Sequence, residues 1–469
     1  MSTNAVITLD ALPPTTHTKP ISSQKWSSHF AFVMAAVGSA VGLGNIWKFP
    51  YMTGTSGGGA FVLVYLACVA MIGLPILIAE VTIGRAGGAS PMGALRNLAA
   101  KYRASRHWQI VGLVGALTAL LVLSFYSVVA GWALAYVPVA ATGKLAGISG
   151  AASETIFNTI LADPVGQIGW HTAFMATTVL IVSRGIGGGI ERAVTWLMPM
   201  LAVLLVLLVA YAAAQGAFLD GAAFLFAPDF SALGTEAVLS AAGHAFFTLS
   251  VGLGAMIAYG GYLPEGVSIP RTAITIAALD TLCALAAGLA IFPLVFAHGL
   301  DPAGGPGLVF VTLPVAFGGM PGGDLFGALF FILLGIAAVT SAVALLEPIV
   351  ATMVERGFRR SSCATMLGLL CWAIGLASVF SFNVWSDVRI AGDERTIFDW
   401  LNLLTSDILL PLGGIAIALF VGWAMPLRAL GGEIDLGPRW LRAWRALVRY
   451  IAPAAVAMVL VSALMGAAA

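Results

Sequence analysis

This chain contains a succession of apolar segments, each long enough to cross a lipid bilayer as a helix. Such a crossing needs about 20 mostly apolar residues. Only 9% of the 469 residues are charged, against roughly 25% in soluble proteins, so long uncharged stretches are frequent. Because lipid cannot pair free backbone N–H and C=O groups, these segments predict an all-α polytopic membrane protein. The eleven predicted spans cover residues 29–55, 59–84, 108–139, 169–183, 193–217, 236–261, 272–298, 324–353, 363–382, 401–425 and 448–467.

The basic residues predict how these spans are oriented. Loops on the cytoplasmic side of a membrane carry an excess of Lys and Arg. If the N-terminal tail, residues 1–28, is cytoplasmic, 18 of the 22 Lys and Arg fall on the inner side of the eleven spans. The four on the outer side are Lys48, Lys144, Arg389 and Arg395. This division predicts a multi-pass protein of the cell (inner) membrane with a cytoplasmic N-terminus and an external C-terminus.

Several classes of function are disfavoured by composition and motifs. A formal net charge of +1 provides no basic field for nucleic acid. The four cysteines lie in or at the ends of apolar runs, with no CxxC pair and no His at zinc-like spacing. An HExxH motif is absent, and the Gly-rich segment 38–45 lacks the Lys and Ser/Thr of a phosphate-binding loop. We therefore expect no enzyme, no organic cofactor, no nucleic-acid partner and no obligatory protein partner.

A repeated tetrapeptide indicates internal symmetry. VGLG occurs at 41–44 in the first span and again at 251–254 in the sixth, so the two copies cross the membrane in opposite directions. Each copy lies mid-span among small residues that allow a helix to unwind. Coincidence in a chain with 55 glycines is the alternative. The pattern favours two inverted repeats, at 29–217 and 236–425, with an accessory span at 448–467 and a binding site at the breaks.

The breaks themselves predict what could bind there. An interrupted helix exposes free N–H groups on one half and free carbonyl groups on the other. With the helix dipole, the first set suits a carboxylate and the second suits a bare cation. The side chains beside the breaks, Ser39, Asn45, Thr248 and Ser250, carry hard oxygen donors. Such donors favour a small cation over zinc or copper.

Ionisable residues inside the predicted spans are functional candidates, because a charge in hydrocarbon is costly. Asp280 has apolar neighbours on both sides, and a bound cation would be its cheapest partner. A protonated or hydrogen-bonded structural Asp is the alternative. Glu347 would either line an inward aqueous path or cap a polar pocket. We expect Glu80 to pair with Arg85, and His244 to be a buried, hydrogen-bonded side chain.

Six motifs in a fixed order point to a known family. They are GSAVGLGNIWKFPY at 38–51, SGGGAF at 56–61, GLPILIAEVTIGR at 73–85, AFFTLSVGLGAM at 245–256, GPGLVFVTLP at 305–314 and AAVTSAVALLEP at 337–348. Together they resemble the neurotransmitter:sodium symporter family, whose bacterial members include amino-acid transporters, over about residues 25–425. The resemblance implies five plus five inverted helices with helices 1 and 6 broken. It also implies sodium-coupled symport of an amino acid into the cell by alternating access.

The resemblance assigns residues to two sodium sites and one substrate site. The first sodium site would be formed by Ala40, Asn45, Thr248 and Asp280. The second would be formed by Gly38, Val41, Ala337, Thr340 and Ser341. The substrate would contact Ala40, Gly42, Gly44, Val122, Tyr126, Phe247, Thr248, Ser250, Leu253, Ser341 and Leu345. Tyr126 would hold the substrate carboxylate and Phe247 would close the pocket.

Two positions bear on substrate and ion selectivity. Gly42 stands where the monoamine transporters of the family carry an Asp that pairs with the amine, so the resemblance implies an amino acid instead. Asp280 supplies a negative charge beside the first sodium, where other members use Asn with chloride or a nearby acid. We therefore predict independence of chloride.

The gates of the family are matched only in part. The outer gate would use Lys48, Asp399 and Asn402, with Asp407 as a further possible partner of Lys48. A Lys lacks the bidentate fork of the usual Arg, which predicts a weaker outer gate. On the cytoplasmic side, the pair we expect as a latch is Lys25 with Glu355.

A channel or a sensor built on the same fold is the competing interpretation, since a fold alone does not determine function. Substrate counterflow would favour a carrier, whereas single-channel conductance would favour a pore.

Overall fold

The structure, a computed structural model, describes residues 25–264, 266–389 and 394–468. Most of the predicted tail, residues 1–24, lies outside the described residues. The helices in chain order are α1 His29–Ala40, α2 Gly44–Thr55, α3 Gly59–Gly87, α4 Pro91–Lys101, α5 Arg106–Ala141, α6 Gly150–Ala162, α7 Pro164–Ser183, α8 Ile186–Ala213, α9 Phe218–Phe226, α10 Thr235–Thr248, α11 Ala255–Gly261, α12 Ile269–Ala297, α13 Leu308–Gly318, α14 Gly323–Glu355, α15 Arg360–Phe380, α16 Ile397–Ala424, α17 Leu427–Glu433 and α18 Pro438–Met465.

The prediction of a helical, multi-pass chain is confirmed. Within the described residues, nine helices are long and apolar enough to cross a membrane, and the bent pair α1–α2 would make a tenth crossing. The remaining predicted span, 236–261, consists of α10 and α11, each shorter than a crossing because the chain unwinds between them. The exact count of eleven stays a prediction, as do the repeat boundaries.

Both helix breaks lie where the VGLG repeats predict them. The axes of α1 and α2 meet at 49° across residues 41–43. Between α10 and α11, Ser250, Gly252 and Gly254 adopt φ values of 52°, 90° and 76°. Glycine reaches this left-handed region at little cost, whereas a residue with a Cβ does so rarely. The Ser250 hydroxyl donates to the Ser39 carbonyl at 2.8 Å, which ties one break to the other.

Long helices enclose the two breaks. The first half-helix α1 packs against α14, α12 and α8, while α5 lies along α14. The helices α5 and α14 are the most buried of the membrane-spanning set. The unwound backbone is therefore enclosed in protein, where its free polar groups can be satisfied without meeting lipid.

Glu80 supports the second break, and the predicted pair with Arg85 is wrong. The Gly252 N–H donates to Glu80 Oε1 at 2.5 Å. The Arg85 Nε lies 3.1 Å from Glu433 Oε2, so this guanidinium bonds to α17 instead. The reason is that the unwound backbone at Gly252 presents a free N–H to Glu80. Arg85 lies near the end of α3, within reach of Glu433 at the end of α17.

Candidate functional site

A buried hydrogen-bond cluster joins both broken helices to α12. The Asn45 amide nitrogen donates to Asp280 Oδ1 at 2.8 Å, and the Thr248 hydroxyl donates to Asp280 Oδ2 at 2.9 Å. The Asn45 Oδ1 accepts the Gly42 N–H at 3.1 Å. These side chains are at most 1% exposed. Ala40 ends α1 beside them, where terminal carbonyls lack helical partners.

This cluster concentrates oxygen atoms around one carboxylate in a dry site. It contains an amide oxygen, a hydroxyl, both oxygens of Asp280 and the carbonyl groups at the end of α1. That donor set suits a hard, small cation that has shed its water. The structure thus brings together Asn45, Thr248 and Asp280, three residues assigned to the first sodium site, and places Ala40 at the adjacent helix end.

A second cluster lies where α14 meets the end of α1. The Ser341 hydroxyl donates to the Gly38 and Val41 carbonyls, each at 3.2 Å. The Thr340 hydroxyl donates to the Ala337 carbonyl at 3.0 Å. Ser341 thus joins α14 to two residues of α1 assigned to the second sodium site, and Ala337 and Thr340, also assigned to it, lie on the adjacent turn of α14. Within the described part of the chain, no group of three or more His, Cys, Asp or Glu side chains could hold a softer metal.

A central cavity of about 30 Å³ lies beside the two breaks. It is lined by Ser39, Ala40, Gly42, Leu43, Gly44, Val122, Tyr126, Phe247, Ser250, Leu253, Ser341 and Leu345. Ten of the eleven residues assigned to the substrate line this cavity, and Thr248 instead lies in the first cluster. Ser39 and Leu43 were not among the assigned contacts. Leu43 lies inside the first break beside Gly42, and Ser39 lies in the last turn of α1 just before the break, so proximity to the break was the signal that could have identified both.

The lining of the central cavity contains no charged side chain. It offers backbone groups of the two breaks together with four hydroxyls, those of Ser39, Tyr126, Ser250 and Ser341. The Tyr126 hydroxyl oxygen accepts the Leu43 N–H at 3.2 Å, which leaves its own proton free to donate. A zwitterion here would be held by helix ends, hydroxyls and a neighbouring cation.

Gly42 is a position where the structure has no room for a side chain. A Cβ at this residue would lie 2.5 Å from the Ser341 Oγ and 2.8 Å from the Tyr126 Oη. Both distances are shorter than any normal contact of a carbon with oxygen. An Asp at this position therefore could not be accommodated without displacing two groups of the site.

A larger cavity of about 390 Å³ adjoins the central one on the side predicted to be external. The two cavities share Leu43, Gly44, Tyr126 and Phe247. Most of the remaining lining is aromatic and includes Trp47, Phe125, Trp132, Phe310, Phe382 and Phe398. Phe247 belongs to both linings, so its side chain stands at the junction of the two cavities.

The predicted outer-gate residues line this larger cavity without pairing. The Lys48 Nζ lies 4.8 Å from the centroid of the Phe247 ring. Among the described residues, Lys48 forms no ion pair with Asp399 or Asp407. Asp399 bonds to Thr396 and caps α16, and Asn402 accepts from Ser406. The predicted pair of Lys48 with Asp399 is thus not formed, because the Asp399 carboxylate caps α16 and the Lys48 ammonium lies over the Phe247 ring.

The opposite side of the breaks is closed by aromatic packing. The Trp26 Nε1 donates to the Tyr259 carbonyl at 3.1 Å. Its ring packs edge-on against Phe32, Tyr259 and Tyr262, with centroid distances of 5.3 to 6.3 Å. This contact joins the chain before α1 to α11, so both broken helices are held together on the predicted cytoplasmic side.

The predicted latch between Lys25 and Glu355 is wrong. Glu355 pairs with Arg96 at 2.9 Å and accepts the Ser90 N–H at 3.0 Å. Lys25 is exposed and has no ion pair within the part of the chain that the structure describes. Glu355, at the end of α14, faces the start of α4, so the nearest cation is on that helix.

Glu347 forms a buried ion pair and does not simply line a path. It pairs with Arg360, and the Tyr262 hydroxyl donates to its Oε1 at 2.8 Å. The Glu347 side chain is fully buried and that of Arg360 is 11% exposed. The pair links α14 and α15 to the chain just after α11, and therefore contributes to the closure on the predicted cytoplasmic side.

We expect the variant Arg360→Met to lose about 3 to 5 kcal/mol of stability, since it leaves the buried Glu347 carboxylate without its cation. Thermal unfolding of the purified protein measures the loss. The neighbouring exposed Arg359 provides the matched control, and Arg359→Met should change stability by about 0.5 kcal/mol or less. Equal losses of stability in the two variants would contradict the role of the ion pair. The double variant Arg360→Met/Glu347→Gln should recover part of the stability, because it removes the unpaired carboxylate as well.

His244 is buried, but the expected hydrogen bonds are not formed. Neither ring nitrogen has a partner among the described residues. The ring centroid lies 5.4 Å from that of Tyr65 and 6.0 Å from that of Phe49. The expectation was wrong because aromatic faces, which offer no strong acceptor, surround the imidazole.

Comparisons with known proteins agree with this geometry. The sequence model of the Sodium:neurotransmitter symporter family matches residues 23–160 and 158–468. An uncharacterized sodium-dependent transporter of Bacillus subtilis, YhdH, is 39% identical, with 94% of this chain and 97% of that protein covered. The mouse sodium-dependent neutral amino acid transporter B(0)AT3 is 26% identical, with 76% and 71% covered.

One solved structure is similar over nearly the whole chain. MhsT in complex with L-phenylalanine superposes with a TM-score of 0.86, is 44% identical, and covers 94% of this chain and 99% of its own. The fold, the paired broken helices and the sequence matches all lead to the same assignment. The chain belongs to the sodium:neurotransmitter symporter family and is a multi-pass, sodium-dependent membrane transporter, not an enzyme.

Proposed function

We propose that this protein is a symporter that carries an amino acid into the cell together with two sodium ions. The observation that supports the proposal most directly is the central cavity between two oxygen-rich clusters. Gly42 leaves no acid to pair with an amine, while Tyr126 and the helix ends can hold a carboxylate. The phenylalanine bound to MhsT supports an amino acid as the substrate class.

The two clusters would be the two sodium sites. Asn45, Thr248 and Asp280 form the first, with the carbonyl of Ala40. Gly38, Val41, Ala337, Thr340 and Ser341 form the second. Each ion moving inward down a membrane potential of about 100 mV supplies about 2.3 kcal/mol for accumulation of the substrate. Since Asp280 provides the negative charge of the first site, transport would not require chloride.

The difference in packing between the two sides of the central cavity supports alternating access in the cell (inner) membrane. The described structure is packed on the side of Trp26 and Glu347, whereas the 390 Å³ cavity lies on the other side of the central cavity. With the N-terminus cytoplasmic and the C-terminus external, that cavity faces outward. The substrate would enter past Lys48, and Phe247 would close over it.

Uptake of a labelled amino acid into proteoliposomes tests the proposal. Uptake should require sodium outside and should fall to background when sodium is replaced by potassium or choline. External unlabelled substrate should drive counterflow. Equal uptake in choline would contradict symport, and single-channel conductance would indicate a pore instead of a carrier. A screen of the twenty amino acids by sodium-dependent thermal shift would identify the substrate.

We expect Tyr126→Phe to raise the KM for the amino acid roughly tenfold or more. The reason is that a hydrogen bond to a charged group contributes about 1.5 to 3 kcal/mol. Uptake kinetics in proteoliposomes measure the change. Sodium binding should be nearly unaffected, since Tyr126 belongs to neither ion cluster. Tyr102→Phe, on the loop after α4, is the control, and an unchanged KM for Tyr126→Phe would contradict a carboxylate contact.

A further inference from the structure

The start of α18 is an amphipathic helix on the predicted cytoplasmic side. Leu441 and Trp444 are 6% and 5% exposed and face the protein. Arg439, Trp440 and Arg442 lie on the exposed face. The apolar residues therefore fix this helix to the rest of the protein, and the Trp444 Nε1 donates to the Pro75 carbonyl at 3.2 Å, which leaves the basic side chains on the outer surface.

Two further arginines extend this basic face toward the membrane. At 100° per residue, Arg439, Arg442, Arg445 and Arg449 fall within about 120° of the helix circumference. We call these four residues the arginine stripe. Among the described residues, none of the four forms an ion pair with an acid. The stripe is therefore a concentration of uncompensated positive charge.

The two arginines at the membrane end of the stripe, Arg445 and Arg449, make defined contacts with the protein. The Arg445 guanidinium donates to the carbonyls of Gly422 and Met425 at 3.1 to 3.3 Å. The Arg449 guanidinium carbon lies 3.6 Å from the centroid of the Trp423 ring. The Arg449 Nε is buried without a hydrogen-bond partner in the described residues. Carbonyl contacts thus hold Arg445 in place and ring stacking holds Arg449. The Nε of Arg449 remains available as a hydrogen-bond donor.

Aromatic side chains indicate the depth at which the stripe lies. Trp423 and Tyr450 are 55% and 56% exposed, and Trp440 is 69% exposed. Exposed Trp and Tyr of membrane proteins concentrate at the level of the lipid headgroups. Beyond them α18 exposes only apolar residues, among them Met458 and Val461. The arginines therefore stand where the headgroups meet the hydrocarbon.

We propose that the arginine stripe binds the phosphate of an anionic phospholipid in the cytoplasmic leaflet. Guanidinium groups form strong, charge-assisted hydrogen bonds with phosphate oxygens. The absence of acids among the described stripe contacts favours a lipid with net negative charge over a zwitterionic one. The aromatic and apolar surface beside the stripe can contact the acyl chains of a lipid. A soluble anion has no acyl chains and would gain nothing from that surface. Basic segments beside a membrane span are attracted to anionic lipid in this way.

Native mass spectrometry of the purified full-length protein tests the site. The protein is titrated in neutral detergent with phosphatidylglycerol, with phosphatidylcholine and with inorganic phosphate. The variant Arg439→Gln/Arg442→Gln should weaken phosphatidylglycerol binding roughly 30-fold, since each basic residue at an anionic surface contributes about fivefold. The matched control is Arg103→Gln/Arg106→Gln, which removes the same charge from the exposed loop after α4 and the exposed first residue of α5, and it should bind as the parent does.

The outcomes separate lipid from other anions. Retention of a sodium-induced thermal shift by the stripe variant shows that it is folded. Tight phosphatidylglycerol binding by that variant would overturn the proposal, as would an equal loss in the control or equal binding of phosphatidylcholine. Displacement of phosphatidylglycerol by an equal concentration of inorganic phosphate would overturn the lipid assignment in favour of a soluble-anion site.

Discussion

Replacing Asp280 by asparagine is expected to weaken sodium binding roughly 100-fold when chloride is absent. Leaving one buried charge without its partner costs about 3 to 5 kcal/mol in proteins, and the oxygens of Asn45 and Thr248 offset a part of that cost. The asparagine keeps the shape and the hydrogen bond to Thr248 but removes the negative charge. Added chloride could then supply the missing charge, so uptake should acquire a chloride requirement.

Sodium titrations in chloride and in gluconate salts measure both effects. The apparent sodium affinity comes from uptake, and sodium-dependent thermal shifts report binding without transport. Asp301→Asn, at an exposed loop position, is the control and should behave as the parent in both salts. If Asp280→Asn has parental sodium affinity in both salts, Asp280 does not belong to the first sodium site.

A methyl group at Gly42 is expected to reduce uptake roughly 100-fold. The Cβ of Gly42→Ala would lie 2.5 Å from the Ser341 Oγ and 2.8 Å from the Tyr126 Oη. Both hydroxyls must move: Ser341 away from the Gly38 and Val41 carbonyls, and Tyr126 away from the position proposed for the substrate carboxylate. Overpacking of this kind costs about 1 to 3 kcal/mol, and here the cost falls on ion and substrate binding.

Two other glycine-to-alanine variants serve as controls for Gly42→Ala. At Gly44, the nearest atom to a new Cβ is Phe247 Cε1 at 3.4 Å, an ordinary contact, so Gly44→Ala should lose less than tenfold. At Gly169 a new Cβ meets nothing within 4 Å, and Gly169→Ala should transport as the parent does. Uptake rates and sodium-dependent thermal shifts are compared for all three variants. A Gly42→Ala protein as active as Gly44→Ala would contradict the close packing at Gly42.

The helix breaks could be predicted because their cause is local. Positive φ values at Gly252 and Gly254 depend on the missing Cβ, and small residues around each VGLG copy weaken the helix. Asp280 could be singled out for a similar reason, since a carboxylate in an apolar span must find a partner. Its partners Asn45 and Thr248 are 235 and 32 residues away, and only the resemblance to a known family connected them beforehand.

The wrong predictions all concern which polar groups meet. Glu80 and Arg85 lie close in sequence on one helix, yet one accepts a bond from the unwound turn and the other pairs with Glu433. Glu355 pairs with Arg96 instead of Lys25. The sequence alone does not specify which of several Lys and Arg residues lies near each acid. The helix packing decides which cation is within bonding distance, and that packing depends on contacts between residues hundreds of positions apart.

Patterns along the chain were sufficient to predict the helical membrane fold, the positions of the two breaks and the hard oxygen donors beside them. These follow from apolar segment length, glycine content and the cost of charge in lipid, which act over a few turns of chain. Three features required the folded structure: Ser39 and Leu43 line the central cavity, Lys48 lies over Phe247, and Glu347 pairs with Arg360. Those contacts depend on how α1, α10, α14 and α15 pack. Ion pairs and hydrogen bonds form between groups a few ångströms apart in space, and these groups can be far apart along the chain.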